Sequence, residues 1–157
     1  MKKYIFTGLL CLMTVLSASA QSKNSALVSK LYQNYIAVKS ALASDDAVKT
    51  SKSAAEFVKT ASATDSKTVL PENIKRLKKS ATEISGTRNI SAQRKSFYEL
   101  SDYMIALTKD FELSEHPVYV QYCPMAEGSW LSNESQIVNP YYGKSMLSCG
   151  TVKSEIK

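Results

Sequence analysis

From Ser25 to Phe111 the apolar residues recur at steps of three and four, and after Pro117 the step becomes two. That change of period constrains the chain more than any other feature. A mainly helical body must be followed by a small β-rich segment. The first apolar stripe, Leu27, Leu31, Tyr35, Val38 and Leu42, is interrupted by Ser44-Asp45-Asp46, residue types that cap helices and suit a first helical turn. A second stripe runs through Val48, Ala54, Phe57, Val58 and Ala61, and the polar run Ser62 to Thr68 reads as a loop. Pro71 and Glu72 open a third helix, since proline at the first helical position loses no hydrogen bond. Its stripe is Ile74, Leu77, Ala81 and Ile84, with Gly86 where it should stop. A fourth begins near Ser91 and carries Phe97, Leu100, Met104, Leu107 and Phe111. Four amphipathic helices with short connections predict an antiparallel four-helix bundle over about 25–112, with a C-terminal β-hairpin-like extension over about 116–153. Met104 reads as core packing, and Tyr32, Tyr35, Tyr98 and Tyr103 as packing residues with hydroxyls in water.

The segment ahead of the first stripe reads as an export signal. Met1 to Lys3 is basic, Tyr4 to Val15 is an apolar run too short to span a bilayer, and Ala18-Ser19-Ala20 has the small-x-small form of a cleavage site. Residues 1–20 are therefore expected to be a signal peptide, and 21–157 a single exported domain with no transmembrane segment. Leu9 and Leu10 are too bulky for Cys11 to be a lipidation site. Cleavage removes two lysines and no acid, so the formal charge of +6 falls by two. The densest basic run, Lys75-Arg76 with Lys78-Lys79, reads as a solvated helix face, and without interleaved aromatics it does not suggest nucleic acid. A single histidine excludes every motif that needs two, and five scattered glycines exclude phosphate-cradling loops. No recognisable motif positions a catalytic base, so an enzyme is not expected.

Chemistry concentrates near the C-terminus. Val118, Val120 and Tyr122 alternate with Tyr119, Gln121 and Cys123, a strand pattern, and an irregular loop and a returning strand should follow. Cleavage would leave two cysteines, Cys123 and Cys149, an even count in an oxidising compartment. A bridge between them would close a loop of about 27 residues and stabilise by roughly 3–4 kcal/mol in the chain-entropy account. Met125 and Met146 would then fill gaps in the core. The same residues also form close pairs, Cys123-x-Met125 and Met146-x-x-Cys149. If the strands bring these pairs together, two thiolates and two thioethers surround one point, a soft donor set that selects Cu(I) over zinc. His116 stands seven residues before Cys123 and precedes a proline, which suits a surface or capping role better than ligation. A disulfide, a metal site and two inert thiols all remain open, and the first two can coexist as a redox-controlled site.

The run Tyr119-Val120-Gln121-Tyr122-Cys123-Pro124-Met125-Ala126, with Trp130-Leu131-Ser132, Ile137, Asn139-Pro140-Tyr141-Tyr142-Gly143 and Met146-Leu147-x-Cys149-Gly150, resembles a bacterial family of exported domains, domain of unknown function 3347. Upstream, Tyr35-x-Ala37-x-Lys39-x-Ala41-Leu42-x-x-Asp45-Asp46 is similar to that family's first helix. Its members stand alone or are appended to periplasmic membrane-fusion subunits of copper and other heavy-metal efflux systems. The resemblance therefore implies a periplasmic protein that binds a soft metal, Cu(I) above others, in support of efflux or tolerance, with a membrane-fusion or efflux-pump subunit as partner. Cys123 and Cys149 would be thiolate ligands and Met125 and Met146 thioether ligands. Pro124 and Gly150 would shape the loops, and Trp130 with Tyr141 would shield the site. Tyr122-Cys123-Pro124-Met125 is also similar to the Cys-Pro-Met core of metal-binding segments in those systems, although Ala126 stands where a histidine commonly follows. The alternative is a disulfide-stapled, metal-free interaction domain that docks on an envelope protein through Trp130 to Tyr142. Buried aromatics over converging sulfurs would favour metal, and an exposed aromatic patch would favour docking.

Overall fold

The computed structural model describes residues 15–64 and 69–156, with side chains from residue 26 onward. Four helices, α1 (Val15–Ala43), α2 (Ala47–Ala63), α3 (Pro71–Ser85) and α4 (Ile90–Leu107), precede three strands, β1 (Val118–Cys123), β2 (Gly128–Ser132) and β3 (Thr151–Ile156). The basic and nearly all of the apolar part of the expected export signal lie outside the described residues. No helix among the described residues is long and apolar enough to cross a membrane.

Each helix packs on the next in sequence, and α1 also touches α4. The helix boundaries follow local chemistry. Asp46 caps α2 by accepting from the Lys49 N–H at 2.8 Å, Pro71 occupies the first turn of α3, and the Gly86 N–H closes that helix on the Thr82 carbonyl. α4 starts at Ile90, beside the Ser91 expected from the pattern, and Asn89 caps it by accepting from the Ala92 N–H. Two assignments of the apolar pattern are corrected. Val48 is exposed while Thr50 takes the buried position in α2, its hydroxyl satisfied by the Asp46 carbonyl. Phe111 lies beyond the end of α4, half-buried against the core.

The C-terminal region is a three-stranded antiparallel sheet of order β2-β1-β3, not a two-stranded hairpin with a long loop. β1 turns directly into β2 through Pro124–Glu127, with Glu127 at φ 50°, and β3 returns along the opposite edge of β1. A bulge between Val120 and Gln121 breaks strict alternation, so that Val118, Gln121 and Cys123 are the buried residues of β1.

An aromatic chain joins helices to sheet. Tyr35 stacks on Phe97 (5.4 Å between centroids), Phe97 meets Tyr141 (5.7 Å), and Trp130 meets Tyr141 edge-on (5.9 Å). The Tyr35 hydroxyl is not in water: it bonds Ser101 Oγ at 2.7 Å and accepts from the Leu131 N–H at 3.0 Å. Its burial pushes its pKa well above the ordinary tyrosine value. Lys39, also buried, lies 3.4 Å from Ser132 Oγ.

A second joint is electrostatic. Arg94 donates to Asp45 Oδ1 at 2.5 Å, to the Leu42 carbonyl at 3.0 Å and to the Pro140 carbonyl at 2.9 Å, while Asp45 Oδ2 accepts from the Lys144 N–H at 3.0 Å. Gly143, at φ 57°, lies so close to this pair that an added Cβ would strike Asp45 and Arg94. The Arg94 guanidinium and the Lys144 N–H hold the Asp45 carboxyl below its ordinary 3.8. A depressed carboxyl contributes stability that is present above its unfolded value and lost as pH falls through the folded one. Asp45→Asn should therefore flatten the acid-side decline in urea stability below about pH 4, while lowering stability at pH 7. Superimposable acid-side slopes for the two proteins would remove Asp45 from the acid response.

Candidate metal centre

β1 and β3 bring the two described cysteines together. Tyr122 pairs with Thr151 across the ladder, so the next positions of each strand, Cys123 on one side and Gly150 then Cys149 on the other, continue toward each other. The two side chains form a hydrogen bond, and both thiols are free. Cys123 has no exposed surface, whereas Cys149 is part-exposed.

The turn after β1 points backbone donors at the pair. The N–H groups of Met125 and Ala126 bond Cys123, and the Met125 N–H also bonds Cys149. Burial pushes the Cys123 thiol up, but the bonds from Cys149, these two N–H groups and the Asn139 side chain outweigh it, so its pKa falls below the ordinary thiol value. Cys149 moves the other way: its hydrogen bond to Cys123 holds its proton, with burial adding to the effect.

Two residues not assigned a role from sequence hold the loop in place. Asn139, fully buried, donates from Nδ2 to the Cys149 carbonyl at 2.9 Å, and its Oδ1 accepts from the N–H groups of Tyr141 at 2.8 Å and Tyr142 at 3.2 Å. Gln121 donates from Nε2 to the carbonyls of Glu134, Ser135 and Gln136 and accepts from Trp130 Nε1 at 2.7 Å. The Asn139-Pro140 dipeptide was the available sign of such a turn. Gln121 gave none, because a polar residue in an alternating strand reads as solvent-facing.

The remaining expected site residues divide. Trp130 is fully buried, and its ring edge lies 3.0 Å from where a Cβ on Gly150 would sit, directly beside Cys149. Gly150 has φ 143°, which a side chain would strain. Tyr141 is 6% exposed and packs on Trp130. The large rings of Trp130 and Tyr141 therefore face the interior rather than forming an external patch. Pro124 accepts from the Glu127 N–H in the β1–β2 turn.

Met125 and Met146 sit on the two turns that flank the cysteines. The Tyr142 hydroxyl ties the turns together by donating to the Met125 carbonyl at 2.9 Å, and the Cys149 N–H bonds the Met146 carbonyl at 3.0 Å. These residues are 64% and 37% exposed, so unlike Cys123 they are presented at the surface. His116 is exposed and precedes the far end of β1, about 20 Å of extended chain from Cys123. Among the described residues no three His, Cys, Asp or Glu side chains converge. The soft donors on these turns are the two thiols of Cys123 and Cys149, with the methionines Met125 and Met146 on the same two turns.

Comparison with known proteins gives one match. The model of the family described as "Protein of unknown function (DUF3347)" matches residues 31–116, just over half of the chain. The matched part is the helical body and ends before β1, so the sulfur pair lies outside it. No curated protein and no solved structure matches.

Proposed function

We propose that this chain, which belongs to the DUF3347 family, binds Cu(I) between Cys123 and Cys149, with Met125 and Met146 as thioether donors that capture and pass on the ion. The carrying observation is the contact between two free thiols, one buried and one part-exposed, in a turn flanked by exposed methionines. Two thiolates are a sufficient primary shell for Cu(I), and no nitrogen or carboxylate ligand is required. Buried Trp130 and Tyr141 support the reading by keeping water from the inner side, as a metal shield would. In this reading an antiparallel four-helix bundle is the scaffold, the chain is exported to the periplasm by a cleaved signal, and the copper passes to a membrane-fusion or efflux-pump subunit. No turnover is involved.

Anaerobic competition titration of the reduced chain against a Cu(I) chelator tests the proposal. One ion per chain and sulfur-only ligation by X-ray absorption are expected. Met146→Leu should weaken binding by about tenfold, the scale of a supporting rather than a primary contact. A fully reduced, folded chain that takes up no Cu(I) would refute the reading.

A further inference from the structure

The two cysteines differ in access, and that asymmetry has chemical content independent of any metal. Cys123 is enclosed: it has no exposed surface, it accepts backbone hydrogen bonds from Met125 and Ala126, and it touches Asn139. Cys149 lies outside it, part-exposed, on the loop that turns at Gly150 into β3. A dissolved disulfide must present its S–S axis in line with the attacking sulfur. Cys149 offers that approach and Cys123 does not. Once Cys149 carries an adduct, however, Cys123 already lies against it from the interior side.

We infer that the pair is a thiol–disulfide exchange centre for low-molecular-weight disulfides, with Cys149 as the attacking sulfur and buried Cys123 as the resolving one. The hydrogen bond to Cys123 raises the Cys149 pKa, but access decides the attacker: in the first step Cys149 loses its proton to solvent and attacks one sulfur of R–S–S–R. The Cys149–S–S–R bond forms and one RS⁻ leaves. In the second step Cys123, likewise deprotonated, attacks Cys149 Sγ. The Cys123–Cys149 bond forms and a second RS⁻ leaves. The two protons lost by the protein are matched by those taken up by the two departing thiolates. The protein dithiol is oxidised by two electrons, and the small disulfide, the oxidant, is reduced to two thiols. If the copper reading above holds, the same reaction removes both thiolate ligands and closes the site under oxidising conditions; that consequence rests on the copper reading, whereas the exchange does not.

The test uses oxidised glutathione, acid quenching and intact-mass spectrometry of the reduced chain, without copper, with Cys11→Ser as the background of every protein compared, wild type included, so that Cys123 and Cys149 are the two thiols read. Wild type should lose two hydrogens and keep no adduct. Cys123→Ser should accumulate one glutathione adduct, mapped to Cys149, and Cys149→Ser should react at least about ten times more slowly because its remaining thiol is enclosed. Maleimide footprinting of wild type, which requires no folded variant, should label Cys149 before Cys123. Equal adduct rates in the two variants, or first labelling of Cys123, would overturn the assignment of roles. A wild type that stays reduced or retains a stable adduct would overturn the exchange itself. Cu(I) uptake is then compared before and after oxidation. Uptake by the reduced form that is lost on oxidation supports closure, and unchanged uptake overturns it. A reduced chain that exchanges disulfides but binds no copper would sink the copper reading alone.

Discussion

Trp130→Ala is expected to cost at least about 4 kcal/mol in urea unfolding, a large fraction of the margin by which a domain of this size is stable. The indole is fully buried, meets Tyr141 edge-on and reaches Gly150, so its removal leaves a cavity where helices, sheet and cysteine loop meet. It also strips the Nε1 donor from Gln121 Oε1. That side chain orients three loop carbonyls and would be left with an unsatisfied buried oxygen. Trp130→Phe divides the two effects, since it loses the donor while leaving a much smaller cavity than alanine does. A loss below about 1.5 kcal/mol for the alanine variant would mean that the indole is not a principal packing residue.

The second large effect is on binding. Cys123→Ser should weaken Cu(I) affinity by on the order of 100-fold or more, beyond the range usual for supporting residues. The substitution replaces a soft sulfur by a hard hydroxyl of similar size at the point where two backbone N–H groups and the Cys149 thiol converge. Fold stability should change much less, because the hydroxyl can accept the same hydrogen bonds. Chelator competition alongside urea unfolding reads the two quantities separately. A Cys123→Ser chain that binds as tightly as wild type would place the copper elsewhere.

Much of the helical body is legible from sequence because its determinants are local. Pro71, Gly86 and the Asp45-Asp46 break mark boundaries within a turn or so of where they fall. Val48 and Thr50 were interchanged because a threonine can satisfy its own hydroxyl on the preceding turn, which hydropathy does not register. β2 was missed for another reason. Trp130 and Leu131 are consecutive and both buried, so the segment shows no alternation to read. The meeting of Cys123 and Cys149 depends on the Tyr122–Thr151 register, a long-range pairing that spacing could suggest but not specify. The exposure of the two methionines, set by the shapes of two turns, was likewise beyond any local rule.

The joints between helices and sheet have a consequence for movement. Tyr35 holds the Leu131 N–H from inside the core, and Arg94 holds the Pro140 carbonyl and the Asp45 carboxylate at the rim. With one anchor in the interior and another at the periphery, the sheet cannot swing from the helices as a hinged lid without breaking buried contacts. In the copper reading, the ion would therefore be exchanged by small excursions of the Pro124–Glu127 and Gly143–Cys149 turns over the anchored sheet. Such a device would act as a clip rather than a jaw, with speed set by local loop rearrangement instead of domain rotation.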